Sequence, residues 1–211
     1  MKKRKMLWSV ICLAMLTLAG CGGGGGSTDG SSDGGGSADG DKTLVVGMAS
    51  DLKTLDPHHG YEVYGNMVYY AMYDYLYRTY ESSTPEPSLA ESHEMDDSQK
   101  VDGNPVSIEK VDDYTVKFTL KEPDAAFLSK LANNSFAIVD SEVVKEHGGT
   151  DAEDASSKDT AEKWLNSNSA GSGAYALDKW KQNEELSLTK NKEYWGEVKN
   201  DKVICKEIPD V

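Results

Sequence analysis

The 211-residue chain carries 36 Asp and Glu against 22 Lys and Arg, a formal charge of −14 at neutral pH, with 38% hydrophobic residues. An acid surplus of that size argues against nucleic acid and anionic lipid headgroups as partners, because both are met by a basic surface. About 170 residues of ordinary composition follow a Gly-rich stretch, enough for one domain with a real core or for part of a larger one.

At the N-terminus Lys2, Lys3, Arg4 and Lys5 precede an apolar run over 7–19 that is too short to span a bilayer and closes in small residues. That pattern predicts a signal peptide over 1–20. The junction Leu18-Ala19-Gly20-Cys21 resembles the lipobox of bacterial lipoproteins. The resemblance implies cleavage before Cys21, lipid attachment to its thiol, and a location at the cell membrane, lipid-anchored on the extracytoplasmic face. Two or three acyl chains (palmitate is the usual type) anchor stably, each buried methylene adding about 0.8 kcal/mol. Loss of residues 1–20, which hold four cations and no anion, takes the formal charge from −14 to −18.

Residues 21–42 continue as the lipidated Cys and a linker of Gly, Ser, Asp, Thr and Ala with no large apolar side chain. A Gly/Ser coil of that length reaches roughly 25 Å on average, which holds a folded body off a lipid surface. Of the three cysteines, Cys12 leaves with the signal and Cys21 takes lipid, so Cys205 has no disulfide partner within the chain. Its setting in Val203-Ile204-Cys205 predicts a buried small hydrophobe.

The body begins with TLVVGMA at 43–49, read as a strand buried on both faces, and a loop over 50–60 that contains Asp56-Pro57. Helical spacing of Val63, Met67, Tyr70 and Ala71 predicts a helix within 62–80. Eight of the eleven tyrosines fall between Tyr61 and Tyr80. They fit either an aromatic ligand surface or helix packing with hydroxyls at the rim. Pro85 and Pro87 break the chain, a short element starts at Leu89-Ala90-Glu91, and 96–105 is polar without periodicity. YTVKFTL at 114–120 alternates, which predicts a half-buried strand with Tyr114, Val116, Phe118 and Leu120 on its inner face. A helix over 124–133, a strand over 135–139, helices within 141–147 and 159–165, a hairpin of 175–180 with 186–189, and a last strand from 203 complete the pattern. Interleaved helices and strands give an α/β or α+β class.

The order of motifs resembles the solute-binding lipoproteins of ABC importers of the peptide and nickel class, extracellular solute-binding protein family 5. The pieces are Leu44-Val45-Val46-Gly47 with Leu55-Asp56-Pro57, then Tyr73-Asp74-Tyr75-Leu76, Pro87-Ser88-Leu89-Ala90-Glu91-Ser92, and Asp113-Tyr114-Thr115-Val116 with Leu120-Lys121-Glu122-Pro123-Asp124. Gly171-Ser172-Gly173-Ala174-Tyr175, Asn191 with Tyr194-Trp195-Gly196, and Ile208-Pro209-Asp210 follow. The resemblance implies part of the first lobe of a type II periplasmic binding fold over 43–211, a mixed sheet with flanking helices, shortened internally near 97–106. It further implies capture of oligopeptides or dipeptides for import, with the importer's permease subunits as partners. Nickel or haem is the alternative cargo; a truncated or scaffold-only surface lipoprotein is the alternative role.

Ligands of open α/β sheets sit beyond strand C-termini, so the loop after the first strand is the expected contact, at His59, Gly60, Tyr61 and Glu62, together with the turn at Gly173. Adjacent His58 and His59 do not have the spacing of a metal pair, and no nucleophile elbow or phosphate-cradling loop is present. Neither a cofactor, a resident metal nor an enzymatic activity is therefore expected.

Overall fold

The computed structural model describes residues 42–95 and 102–208. The expected signal peptide, Cys21 and most of the expected linker, as well as the junction at 96–101, lie outside the described residues. The main sheet has four strands in the order β1 (Thr43–Met48), β8 (Lys202–Glu207), β7 (Glu185–Lys190), β6 (Tyr175–Lys181). β1 pairs parallel with β8, Val46 opposite Cys205, and the other two pairings are antiparallel. The expected hairpin of β6 and β7 is therefore present. Its turn carries Asn183 at φ 60°, a left-handed conformation that Asn tolerates better than most residues.

The first strand forms as expected, but its burial does not. Leu44 and Val45 are exposed and only Met48 is fully buried, because β1 is an edge strand with β8 as its one neighbour. The strand covered on both faces is β7, where Leu186, Ser187 and Leu188 are all buried. Each buried Leu contributes about 1.5–3 kcal/mol. Ser187 keeps its hydroxyl satisfied by donating to the Asp178 carboxylate at 2.9 Å.

Helix α1 (Val63–Met72) packs against β6 and buries Val68, Tyr69 and Met72, which join Leu52, Leu55, Leu186, Leu188 and Cys205 in the principal core. It is shorter than the pattern over 62–80 suggests. The chain extends at Tyr73, Asp74 makes an isolated bridge to Ile138, and β2 (Tyr77–Arg78) pairs with β3 (Glu86–Pro87). No helix or strand forms at Leu89-Ala90-Glu91. The tyrosines divide by depth: Tyr69, Tyr73, Tyr75 and Tyr77 are buried, whereas Tyr61 and Tyr80 are exposed. Packing thus accounts for the inner four. Cys205 is buried as expected, and burial pushes its thiol pKa up.

A separate hairpin joins β4 (Asp102–Lys110) to β5 (Val116–Lys121), so the strand begins at Asp102, inside the stretch that reads as aperiodic. Phe118 and Leu120 lie on Tyr77, Phe127 and Leu131, the last two from α2 (Phe127–Leu131). Tyr114, expected on that inner face, precedes β5 and is fully exposed, because the inner row meets its small core only from Phe118 onward.

The strand expected over 135–139 is instead a single 3-10 turn, Asn134–Phe136, followed by the one bridge at Ile138. Asn133 caps that turn through its side chain, and Asn134 is buried and turned inward. Three short helices follow, α3 (Ser141–Glu146), α4 (Ala155–Lys158) and α5 (Glu162–Leu165). Asp140 caps α3 by accepting from the amides of Glu142 and Val143.

Candidate functional site

The loop between β1 and α1 is braced from three directions. Asp51 accepts from Trp180 Nε1 at 3.1 Å and from the Asn183 amide at 2.6 Å, which fixes the loop's start to the β6–β7 turn. Asn166, at the end of α5, accepts from Thr54 Oγ1 at 3.0 Å and from the Leu55 amide at 2.6 Å. Asn134 donates through Nδ2 to the carbonyls of Pro57, at 2.9 Å, and Gly60.

Asp56 organises the middle of the loop and is itself only 3% exposed. Its Oδ1 accepts the His58 amide at 2.9 Å and its Oδ2 meets His59 Nδ1 at 2.8 Å, while its carbonyl accepts the Gly60 amide at 2.9 Å. The hydrogen bond to Asp56 is the main reason the His59 imidazole is held above its ordinary value; partial burial opposes it, and the charges of Asp56, Glu162 and Asp159 add to it. His58 donates through Nε2 to the Ala137 carbonyl at 2.9 Å, since a carbonyl oxygen can only accept.

His59, Gly60, Tyr61 and Glu62 consequently stand together on a rigid backbone at the N-terminal end of α1. Gly60 is buried, and a Cβ there would overlap the Tyr69 hydroxyl, so this position contributes close packing and no side chain. Tyr61 is 79% exposed and the next apolar side chain, Val63, 81%. Glu62 precedes the helix, accepts the Tyr61 amide at 3.3 Å and lies 4.0 Å from Lys53 Nζ. Gly173 is elsewhere. It lies against Met72 at the opposite end of α1, and ten residues of helix separate it from the loop by about 15 Å. Its amide donates to the Met72 carbonyl at 3.0 Å and its carbonyl accepts from Asn191 Nδ2 at 2.9 Å.

A second polar centre, which sequence spacing does not nominate, is built on Asp74. This carboxylate is fully buried. Oδ1 accepts from Arg78 Nη2 at 3.2 Å, and Oδ2 accepts from Ser172 Oγ at 2.9 Å and from Trp195 Nε1 at 3.2 Å. Arg78 also donates to the Tyr73 carbonyl at 2.6 Å and lies over the rings of Tyr70 and Tyr75. Three motif pieces, Tyr73-Asp74, Gly171-Ser172-Gly173 and Tyr194-Trp195, thus meet at one carboxylate. Their joint presence in the chain is the signal that could have found it. Among the described residues no group of three or more His, Cys, Asp or Glu is placed to hold a metal ion.

A small mixed sheet with helices on it and a braced loop beyond the first strand have the fold of a lobe of a type II periplasmic binding protein. The structure of the periplasmic binding protein DppA from Helicobacter pylori in complex with the peptide STSA superposes with a TM-score of 0.65 at 22% identity, covering 80% of this chain and 43% of that one. OppA of Burkholderia pseudomallei gives a TM-score of 0.60 at 19% identity, covering 80% and 42%. The profile of the bacterial extracellular solute-binding proteins, family 5 Middle, matches residues 58–211, and the chain belongs to that family. Among curated relatives, the "Probable D,D-dipeptide-binding periplasmic protein DdpA" of Escherichia coli is 32% identical over 209 residues, 78% of this chain and 39% of the relative. "Di/tripeptide-binding protein 1" of Pseudomonas aeruginosa is 33% identical over 110 residues, 49% of this chain and 18% of the relative. The chain therefore spans about two fifths of the first relative's length.

Proposed function

We propose that this chain is a cargo-contacting lobe of the substrate-binding lipoprotein of an ABC importer, capturing oligopeptides or dipeptides and presenting them to the permease. In this reading Cys21 carries the lipid that ties it to the extracytoplasmic face of the membrane, residues 21–42 are the tether, and 43–211 form the partial lobe, with a shortening near 97–106. The peptide-binding names of its relatives support the cargo class.

The observation that carries the proposal is the display of Tyr61 and Val63, 79% and 81% exposed, from the end of a loop whose backbone is fixed by Asp56 and Asn134 and from the first residue of α1 that follows it. Large apolar side chains held out on a pre-ordered backbone lose little further freedom on binding. They can cover a peptide's apolar surface while its main chain supplies hydrogen bonds, which gives broad sequence tolerance. Saturation-transfer NMR with a pool of di- to pentapeptides tests this on the full chain. Transfer to peptide protons that drops in Tyr61→Ala supports the proposal; transfer unchanged in that variant removes the loop from the contact surface.

A further inference from the structure

The Asp74 centre leaves hydrogen-bond donors over. Arg78 uses Nη2 for the Tyr73 carbonyl and Asp74 Oδ1; its Nε is buried without an acceptor, and Nη1 has none among the described residues. Tyr75, whose ring centre is 5.3 Å from the guanidinium carbon, also keeps a buried hydroxyl without a partner. Buried donors without acceptors are rare in native proteins and costly to keep. Asp74 pairs with the guanidinium through its Nη2 end alone, Oδ2 being taken by Ser172 and Trp195, so the ion pair leaves the other donors of Arg78 unmatched.

Around this guanidinium the surface is aromatic. Trp195 is 64% exposed, with its indole pinned by the hydrogen bond to Asp74, and Tyr80 is 57% exposed. The Tyr194 ring lies 5.2 Å from that of Trp195. Tyr80 follows Arg78, the last residue of β2, by two positions, which in extended chain puts both side chains on the same side. Exposed aromatic rings beside a guanidinium are the composition of binding hot spots.

We propose that the patch is a carboxylate-binding site, in which the Nη1 edge of Arg78 donates to the carboxylate of a small organic acid whose apolar group lies on Trp195 and Tyr80. A guanidinium edge matches the planar carboxylate in shape and charge, and the rings select an acid that carries an apolar group over a bare anion. The free C-terminus of a peptide ending in an aromatic residue has that chemistry. The assignment does not depend on the loop at 59–62 touching cargo.

The test is to titrate the full chain, nitrogen-15 labelled, with N-acetyl-phenylalanine, with its C-terminal amide, and with inorganic phosphate. The Trp195 indole N–H and Arg78 Nε–H signals are assigned by their loss in Trp195→Phe and Arg78→Lys. The expected result is a saturable shift of both signals with the acid, and binding at least about tenfold weaker for the amide, the size of effect that one charge-assisted hydrogen bond produces. Arg78→Lys can disturb the Asp74 centre, so Tyr80→Ala is the second variant: it should weaken acid binding about threefold or more while the thermal unfolding midpoint stays in place. No saturable shift with the acid, equal binding of the amide or of phosphate, or an unaffected Tyr80→Ala variant would each overturn the assignment.

Discussion

His58 and Asp74 hold the two sides of one peptide unit: His58 Nε2 donates to the Ala137 carbonyl at 2.9 Å, and the Ile138 amide donates to the Asp74 carbonyl at 2.9 Å. The loop ahead of α1 and the backbone at Asp74 behind it are thereby tied through a single, flat link. Disturbance at Asp74 has a short path to the loop that displays Tyr61.

Replacing Asp74 by Asn keeps the shape but removes the charge opposite Arg78, whose side chain is 14% exposed. Breaking a buried pair from one side costs about 3–5 kcal/mol. Urea unfolding of Asp74→Asn should show a loss of at least about 2 kcal/mol after allowance for the residual exposure. A variant within 0.5 kcal/mol of the parent would mean that the ion pair is not formed.

Gly173→Ala separates packing from ligand contact. An added Cβ would stand 2.4 Å from the Met72 carbonyl carbon and 2.6 Å from the Tyr73 amide nitrogen, both backbone atoms. Overpacking of this kind costs about 1–3 kcal/mol. We expect a lowered melting temperature, and an unchanged one would show that the turn at 171–173 does not press on the end of α1.

The interior strand can be tested against the protruding hairpin. Leu188→Ala, at 1% exposure in β7, should cost about 2–5 kcal/mol, whereas Tyr114→Ala, at 100%, should stay within about 0.5 kcal/mol. Equal effects in denaturant titrations would contradict the placement of both residues.

The histidine at the head of the loop predicts a pH dependence. His59 has its pKa raised above 6.5 in the folded protein, first by the hydrogen bond to Asp56. A raised pKa means that the folded state holds the proton more tightly, so this stabilisation is fully present below the unfolded value and fades as pH rises through the folded one. Stability should fall over the window that begins near pH 6.5, and His59→Gln should flatten that part of the profile. A parent curve with the same slope as the variant would rule out the His59–Asp56 pair as its source.

Much of this architecture is legible in residue order, and what is not has physical causes. The β6–β7 hairpin and the presence of α1 are legible locally, although the stripe of Val63 and Met67 that predicts the helix is exposed and its buried face is Val68, Tyr69 and Met72. Burial of a strand is not local: TLVVGMA reads as covered on both faces, yet β1 lies at the sheet edge, and only pairing order decides that. Residues 135–139 have strand composition, but Asn134 reaches back to the carbonyls of Pro57 and Gly60 and leaves room for a turn and one bridge. At the candidate site, the four contiguous residues 59–62 come together because they are neighbours in sequence. The Asp74 centre is out of reach of any spacing rule, since Ser172 and Trp195 are 98 and 121 positions away from it.

That this lobe meets its cargo through the braced loop is tested most directly by amide shift mapping of the full chain with a mixed pool of di- to pentapeptides. The account predicts concentration-dependent shifts centred on residues 59–63, with smaller ones passed along to Ile138 through the His58 link. Shifts confined to the far end of the sheet, around Lys42, Lys190 and Asp201, or no shifts at any peptide concentration, would contradict it.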